Sequence, residues 1–554
     1  MGARGRLPKN DITLKKSYLL LLAILSFSSV LSLVFFQGMS VWGDDPSYAL
    51  LLPSIYNNTF KETSNIFSVR PALLYPIAFF SKVFGFSAFG AGFYAFASYL
   101  LSIIITFLVG KALYSNKGGL LGSLLFAIYP GIIKANSTAE SLLPLVFFLS
   151  LAALLFIYGK KTKNRWFYFL SGASTFVGAL INPLAYIYAA FFAIYIIVDL
   201  ARCIAAKSWK ARLGYLMYFA GYVVAILAWG IVNAHIAYNG GPFYEITSTG
   251  SYFGAGSGQV GVYYPNTTLV YYPQGFFPYN FTNASSFYDQ AFTESGVIMV
   301  SGVNNEVGFF GYFAVIFGIY LLSLRDKRYY FLLGMAAFII GYLEFGTQSI
   351  THYQAIFKIM RYSVIAAMPI ALITGFGVLD ASYKLFRRHP VFRGAFIWSI
   401  VAFLFATSLP LYYFYYIYNY NSMVYPKMIA ESLLGAPSLS NSSLYGPILT
   451  AAYTLYYMGY PKMRTFGVYG TGRNDTLLLQ SCSSIPNGSY VIIPDANTLA
   501  ILNSIGPLMI NETWAYDPSE CNMTLYASLY NYSRIDSIGL YGESTLTGSI
   551  YHKG

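Results

Sequence analysis

The sequence predicts a polytopic α-helical membrane protein with about eleven transmembrane helices and a C-terminal domain outside the membrane. Of its 554 residues, 56% are hydrophobic and only 10% are charged, a composition far more apolar than that of a soluble protein of this length. Eleven apolar runs have the roughly 17–25 residues that a spanning helix needs. These runs are 18–36, 89–113, 118–134, 139–159, 166–182, 184–201, 213–238, 306–324, 329–345, 361–380 and 394–418.

Basic residues predict the orientation of the chain. With the N-terminus in the cytoplasm, the six segments left on that side hold 22 of the 34 Lys and Arg residues, as the preference of basic loops for the cytoplasm requires. The net charge of +13 is therefore a topological and lipid-facing signal and does not indicate a nucleic-acid partner. We expect a multi-pass protein of the cell membrane, or of the ER membrane in a eukaryote, with the C-terminal region outside.

Acceptor patterns for N-glycosylation agree with this orientation. The chain contains eleven Asn-x-Ser/Thr patterns, and all of them fall in segments that the charge rule places outside. The pattern favours a eukaryotic or archaeal membrane, and the short, simple loops favour an archaeon. The asparagines are Asn57, Asn136, Asn266, Asn280, Asn283, Asn441, Asn474, Asn487, Asn511, Asn522 and Asn531.

Three outer segments are large enough to carry function. The first, 37–88, contains paired aspartates and a short apolar stretch that suits an interfacial helix. The second, 239–305, is rich in Gly, Tyr, Asn and Pro and is predicted to be a long ordered loop or small sheet. In the third, 419–554, short strand-like runs alternate with turn signals. We therefore divide the chain into a transmembrane catalytic domain, 1–418, and an exoplasmic α/β or β-rich domain, 419–554.

Two of the three cysteines, Cys482 and Cys521, lie in the outer C-terminal region, where a disulfide is chemically allowed. We predict that they pair, although two free buried thiols would satisfy the sequence equally. Cys203 falls in a predicted cytoplasmic loop.

The candidate catalytic residues begin with two adjacent aspartates in the stretch "GDDPSYALL". Because Asp is a good N-cap and Pro46 suits the first position of a helix, Asp45 has a purely structural explanation. Asp44 does not. Two neighbouring carboxylates raise each other's pKa, which suits a proton acceptor.

Further ionisable residues gather on the same predicted face of the membrane. Arg70 opens the interfacial helix of the first outer loop, and Glu140 stands in a short outer turn. Charges at a membrane rim are costly unless they are solvated or used, and Arg or Lys there could hold a phosphate. Snorkelling to lipid head groups is the alternative. At the outer mouth of a later span are His352, Tyr353, Lys358 and Arg361.

At these residues a family resemblance becomes visible. "DDPSYALL" followed by "RPALLYP" resembles the first outer loop of the GT-C class of polyprenyl-phosphate-sugar-dependent glycosyltransferases, which includes protein O-mannosyltransferases and aminoarabinose transferases. The resemblance implies that Asp44 is the catalytic aspartate and Asp45 the acid after it. It also implies that Tyr48 and Arg70 are the tyrosine and the basic residue of the pattern.

The likeness extends over about residues 18–200 and 355–418. Glu140 stands where the family usually has an acid, and "RYSVIAAMP", which begins at Arg361, resembles a later span. The chain departs from the pattern where Asp45 replaces the commoner Glu and Glu140 the commoner Asp, and Lys134 is out of register with the basic residue before that acid. The Trp-Trp-Asp-x-Gly signature of oligosaccharyltransferases is missing, which argues against transfer of a whole oligosaccharide to asparagine.

The resemblance implies an inverting sugar transfer from a polyprenyl (dolichyl) phosphate donor to a protein, lipid or glycan acceptor on the exoplasmic face. Asp44 would be the base, with Asp45 and Glu140 shaping the acceptor site. Arg70, His352, Lys358 and Arg361 would bind the donor phosphate, and Tyr48 and Tyr353 the substrate. No metal is expected to be required, although the three acids could form an oxygen-ligand set for Mn²⁺ or Mg²⁺.

Two other functions stay open at this point. A transporter or lipid flippase would need midplane charges, interrupted spans and an internal repeat. The charges lie at the outer rim, and no convincing repeat is present. In the second alternative, the membrane part is a catalytically silent scaffold and the C-terminal domain performs the function.

Overall fold

The structure is a computed structural model, and it describes residues 12–36, 38, 45–56, 70–136, 138–205, 214–236, 309–345, 360–434, 443–446, 454, 456–458, 465–468, 487, 489–494, 523–537 and 540–553. The named elements are helices up to Leu434, and five strands follow. The helices are α1 (Leu14–Val34), α2 (Asp45–Tyr56), α3 (Pro71–Phe84), α4 (Ala88–Leu113), α5 (Asn116–Ala127), α6 (Pro130–Asn136), α7 (Leu142–Thr162), α8 (Arg165–Ala179), α9 (Ala185–Ala205), α10 (Leu216–Ile236), α11 (Phe309–Ser323), α12 (Lys327–Phe345), a 3₁₀ helix (Met360–Ala366), α13 (Ala367–Leu385) and α14 (Pro390–Leu434).

The membrane character of the chain is confirmed, but the number of eleven spans is not. Every predicted span contains a helix. By length and composition, however, six helices of the described chain can cross a membrane alone, and α5 with α6 can form a seventh crossing. The helices α10, α11 and α12 offer shorter apolar stretches, and α8 has 15 residues. The six long ones are α1, α4, α7, α9, α13 and α14.

The predicted span 118–134 is not one continuous helix. It divides into α5 and α6, whose axes differ by 61°. The break comes at Ile128 and Tyr129, directly before Pro130, the first residue of α6. Proline disfavours helical geometry in the residue before it and cannot donate a backbone hydrogen bond, so it starts a new helix here. The buried hydroxyl of Tyr412 donates to the Ile128 carbonyl, which the break leaves without a helical partner.

The helix α13 lies at the centre of the bundle. In the apolar 18-residue stretch of this span, 94% of the residues are buried inside the protein, against 28% in the corresponding stretch of α1 and 17% in that of α14. It packs against α5 and α11. The exposed apolar faces of α1 and α14 are those that lipid would cover, because an apolar residue gains nothing from leaving lipid for a protein interior.

Strands occur towards the C-terminus. They are β1 (Ser443–Gly446), β2 (Thr465–Val468), β3 (Tyr490–Pro494), β4 (Met523–Ser537) and β5 (Leu540–Lys553), and they form a sheet in the order β2-β1-β3-β5-β4. β1 is parallel to β2 and β3, whereas β5 is antiparallel to β3 and β4. The described part of 419–554 thus contains a mixed sheet, while the C-terminal domain itself stays a prediction.

The helix before the sheet is longer than the last predicted span. α14 has 45 residues and continues through position 419, where the sequence suggested a domain boundary. It packs against β4. The division into 1–418 and 419–554 stays a prediction.

Candidate functional site

The first outer loop contains a buried contact between Tyr48 and Arg70. The side chains are 1% and 5% exposed. Arg70 Nη1 donates to the Tyr48 hydroxyl, and the guanidinium carbon lies 5.8 Å from the centre of the tyrosine ring. Burying a guanidinium is unfavourable unless acceptors surround it, so this environment is one that suits an anion. Both residues were predicted from the sequence, and the structure places them in contact.

Backbone geometry holds Arg70 at this point. It is the N-cap of α3, and its carbonyl accepts from the amides of Leu73 and Leu74, each at 3.0 Å. Pro71 follows at the first helical position, where its missing N–H costs nothing. A helix is therefore present where the sequence predicted an interfacial one, and its first turn fixes the arginine.

The helix α2, which carries Tyr48, is tied to α3 at its other end. The hydroxyl of Tyr56 donates to the carbonyl of Ala78 at 3.0 Å. Burial raises the pKa of Tyr56 to about 12, so the phenol stays protonated and keeps this hydrogen bond across the physiological range. Hydrogen bonds at both ends make α2 and α3 one supported unit.

Glu140 lies in the linker between α6 and α7, and its side chain is 5% exposed. This linker is polar although it is buried. Its Ser141 hydroxyl accepts from Asn182 Nδ2 at 3.0 Å, and the Asn182 Oδ1 accepts from the Leu184 amide at 3.0 Å. Asn182 thus connects the linker of Glu140 to the turn before α9.

A backbone contact brings the first outer loop to this linker. Gly38 forms a parallel β-bridge with Thr138. The bridge therefore places the backbone of Gly38, which precedes Asp44 by six residues in sequence, two residues from Glu140 along the linker. Gly38 has φ +84°, and an added Cβ would lie 2.1 Å from the Ala88 carbonyl oxygen. Only glycine allows both the backbone conformation and this approach.

The 3₁₀ helix Met360–Ala366 borders the same region. It packs against α6 and α7, the two helices that flank Glu140. The hydroxyl of the buried Tyr188 donates to the Ile365 carbonyl at 2.8 Å and so fixes the 3₁₀ helix to α9. Arg361 is the second residue of this helix, and the structure describes its backbone. The predicted later span thus begins with a tight turn beside the glutamate.

Some predicted site residues lie outside the described residues. For Asp45, the first residue of α2, the backbone alone is described. Outside the described part are Asp44, His352, Tyr353, Lys358, Cys482 and Cys521. Their roles, and the disulfide, stay predictions.

The expectation about metal binding also stays a prediction. Within the described ranges, no three His, Cys, Asp or Glu side chains come together. Because the carboxylates of Asp44 and Asp45 lie outside those ranges, the expectation that no metal is required is neither supported nor opposed.

Asn136 corrects one prediction from the glycosylation patterns. Its side chain is fully buried at the end of α6, and Nδ2 donates to the hydroxyl of the buried Ser32. An acceptor asparagine must reach an external enzyme, so this pattern cannot serve as one in the folded protein. Asn487, in contrast, is exposed.

Several residues that shape the site were not recognised from the sequence. Asn182 precedes a proline in a short turn between two apolar runs, a signal that could have identified it. Gly38 carries no such signal, because the sequence does not show which glycine meets another backbone. Tyr456, from the C-terminal region, also contacts α3 and the turn after it. Its hydroxyl lies 3.1 Å from Ser81 Oγ and donates to the Ser87 carbonyl at 2.9 Å.

Sequence and structure comparisons place this arrangement among known proteins. Residues 68–229 match the family model described as dolichyl-phosphate-mannose-protein mannosyltransferase. The matched segment contains Arg70, Glu140 and Asn182. No curated protein matches the chain in sequence.

Solved structures with the same fold are membrane glycosyltransferases. ArnT from Cupriavidus metallidurans bound to undecaprenyl phosphate matches with TM-score 0.56 and 12% identity, over 97% of this chain and 98% of that one. The Archaeoglobus fulgidus oligosaccharyltransferase tethered with an acceptor peptide matches with TM-score 0.53 and 13% identity, over 95% and 74%. Its apo form matches with TM-score 0.50 and 13% identity, over 81% and 64%, so this chain spans about 64% of the length of that structure.

The resemblance to GT-C glycosyltransferases is thereby confirmed. The matched family and the structural neighbours are all glycosyltransferases of this type. At 12–13% identity the neighbours show the fold. The chain is a multi-pass membrane protein with that fold.

Proposed function

We propose that this GT-C-fold protein is a membrane glycosyltransferase that moves a sugar from a polyprenyl (dolichyl) phosphate donor to a protein, lipid or glycan acceptor. The observation that carries the proposal is the match of residues 68–229 to the mannosyltransferase family, with buried Arg70 and Glu140 inside it. A soluble acceptor would meet the site at the end of the bundle that bears Glu140.

The donor class is supported by one structural neighbour and one local feature. The neighbour that matches along nearly its whole length is bound to undecaprenyl phosphate. In this chain, Arg70 is a buried guanidinium that could contact a phosphate through two parallel N–H groups. We assign Arg70 to the donor phosphate, with Tyr48 orienting it. Lys358, Arg361 and His352 complete the proposed phosphate site.

The chemistry needs a base and a stabilised leaving group. Asp44 accepts the proton of the acceptor hydroxyl while that oxygen attacks the anomeric carbon. The bond from the anomeric carbon to the lipid-phosphate oxygen breaks on the opposite face, so the configuration inverts and the lipid phosphate leaves with the bonding electrons. Each cationic contact that strengthens as negative charge develops on the leaving phosphate would stabilise the transition state by roughly 2–4 kcal/mol.

Glu140 and Asp45 shape the acceptor side. The bridge between Gly38 and Thr138 supports this assignment, because it brings the backbone six residues before Asp44 to the linker that carries Glu140. A buried carboxylate near the base helps to keep the base's proton affinity high. Tyr353 is assigned to substrate contact.

The first test is sugar transfer in proteoliposomes from a panel of polyprenyl-phosphate sugars, with wild type and Asp44→Asn. General-base catalysis contributes about 10²–10⁴-fold, so the variant should lose that much of kcat while it remains inserted and folded. Glu431→Gln is the matched control, since Glu431 is an exposed acid on α14 that has no assigned role in the site. It should transfer at the wild-type rate.

The outcomes separate the alternatives. Transfer by Asp44→Asn at the wild-type rate would remove Asp44 as the base and move the assignment to Glu140 or Asp45. Lipid or solute movement without transfer from any donor in the panel would favour the transporter.

A further inference from the structure

A second polar site lies at the opposite end of the bundle from Glu140. It is a cavity of about 270 Å³ between the last turns of α4 and α7, the middle of α9 and the first turn of α12. Glu140 directly precedes α7, whereas Lys160 comes near the end of that helix, about 27 Å along it at 1.5 Å per residue. The residues that line this opposite-end pocket include Phe156, Lys160, Lys161, Tyr195, Arg328 and Phe331.

The polar lining of the opposite-end pocket is cationic. Among the described residues, Lys160, Lys161 and Arg328 line it, and no acid does. Lys160 Nζ donates to the Tyr195 hydroxyl and lies 4.8 Å from the centre of its ring. Within the described residues, no carboxylate lies within ion-pair distance of Lys161. Three positive groups thus converge on one small space.

Two described carboxylates near the pocket, those of Asp326 and Asp199, are already engaged. Asp326 accepts from Arg328 Nε at 2.8 Å and from Nη2 at 2.5 Å, an arrangement that fixes the guanidinium and lowers the pKa of Asp326. Asp199, one turn beyond Tyr195 on α9, accepts from the Tyr215 hydroxyl at 2.7 Å. Neither acid lines the pocket, so both lysines remain to attract an anion.

Aromatic side chains line the pocket, and exposed apolar side chains lie next to it on α9. The rings of Phe156 and Phe331 stack with centroids 5.9 Å apart, and Tyr195 meets both edge-on. Beside Tyr195 on α9, Ile194 and Val198 are 48% and 42% exposed. An apolar chain can lie on this face of α9 while a charged head group occupies the cationic end.

We propose that the opposite-end pocket binds the phosphate head group of an anionic membrane lipid, with the acyl chain along α9. Basic pockets between transmembrane helices recognise lipid head groups in this way, because charge attraction and apolar burial act on one molecule. The cavity is close to the volume of small-ligand sites, which suits a glycerophosphate group and not a large glycan. The site is separate from the sugar-transfer site and does not depend on that activity.

The experiment measures lipid retained by the purified full-length protein. Detergent-solubilised wild type is mixed with equal amounts of phosphatidylglycerol and phosphatidylcholine, and bound lipid is counted by native mass spectrometry. We expect a preference for phosphatidylglycerol. Lys160→Gln/Lys161→Gln should lose it by more than about tenfold, because each lysine near an anionic lipid contributes about fivefold.

A matched control removes the same charge at the same end of the bundle. Lys15 and Lys16 are exposed in the first turn of α1. They lie at the same end of the bundle as the pocket. The ring centre of Tyr18, on the same turn of α1, is 5.4 Å from Lys111 Nζ, and the next residue, Ala112, lines the pocket. Lys15→Gln/Lys16→Gln should keep the preference. Equal losses in both double variants would overturn the proposal, because they would show a general charge effect.

A second arm distinguishes a lipid from a free anion. Inorganic phosphate is added at increasing concentration to the protein loaded with phosphatidylglycerol, with sodium chloride at matched ionic strength as the comparison. If the lipid stays bound equally in both series, its chain contributes and the proposal holds. Displacement by phosphate alone would identify a free-phosphate site and refute the lipid. Equal retention of phosphatidylcholine by wild type would refute it as well.

Discussion

Replacing Gly38 by alanine tests whether the approach of the first outer loop to Glu140 is needed for transfer. The new Cβ would lie 2.1 Å from the Ala88 carbonyl oxygen and 2.4 Å from its Cα, whereas ordinary contact begins at 3.4 Å. These are backbone atoms, so no side-chain rotation relieves the contact. The strand at Gly38 must move away from α4, and its bridge to Thr138 moves with it.

The magnitude follows from two separate effects. Alanine at φ +84° costs about 1–2 kcal/mol in backbone strain. Overpacking against a fixed neighbour adds typically 1–3 kcal/mol. We therefore expect Gly38→Ala to lower the free energy of unfolding by about 2–5 kcal/mol. A displacement of about 1 Å at a reacting group can cost 10²-fold in rate, so transfer by the folded fraction should fall by that order.

Gly85→Ala provides the matched control. Gly85 has φ +82°, but nothing lies within 4 Å of the position its Cβ would take. The control therefore carries the backbone strain without the close contact. Both variants are compared by apparent melting temperature in detergent and by initial rate of transfer, corrected for the folded fraction. If the two variants lose the same stability and the same rate, the close approach of Gly38 has no functional weight and the reasoning fails.

Three further predictions concern single polar groups. Tyr48→Phe removes an acceptor from the buried Arg70, so it should lower the free energy of unfolding by about 1.5–3 kcal/mol and raise KM for the lipid donor. An unchanged KM would show that Arg70 does not take part in donor binding. Tyr456→Phe removes the bond to the Ser87 carbonyl and should lower the free energy of unfolding by about 1 kcal/mol, measurable as a lower melting temperature; no change would show that the bond is compensated. Glycopeptide mapping of the protein from a glycosylating host should find Asn136 unmodified, and a glycan there would contradict its burial.

The sequence was sufficient for features that depend on composition and local order. The apolar runs predicted where helices lie, because burial in lipid selects for apolar length regardless of the partners. Tyr48 and Arg70 were both identified from one sequence motif, although the motif did not predict that they touch. The break before Pro130 was also visible in principle, as "YPG" carries a helix-stopping signal that the predicted span overlooked.

Other features depend on which segments meet in space. Asn136 matches an acceptor pattern, yet the fold buries it against Ser32, more than a hundred residues away. The number of eleven spans is not confirmed for a related reason, because an apolar run does not reveal whether its helix crosses the membrane alone or ends early against a neighbour. Gly38 and Asn182 gained their importance from partners that no local pattern specifies.

The length of α14 has a mechanical consequence. A continuous helix of 45 residues is about 67 Å long, roughly twice the thickness of a hydrocarbon core. Spanning helices change their tilt when bilayer thickness changes. Pro410 and Pro426 lie inside α14, so a change of tilt reaches β4, which packs on this helix, through two points at which a helix can bend. The thickness of the bilayer would then influence the position of the sheet.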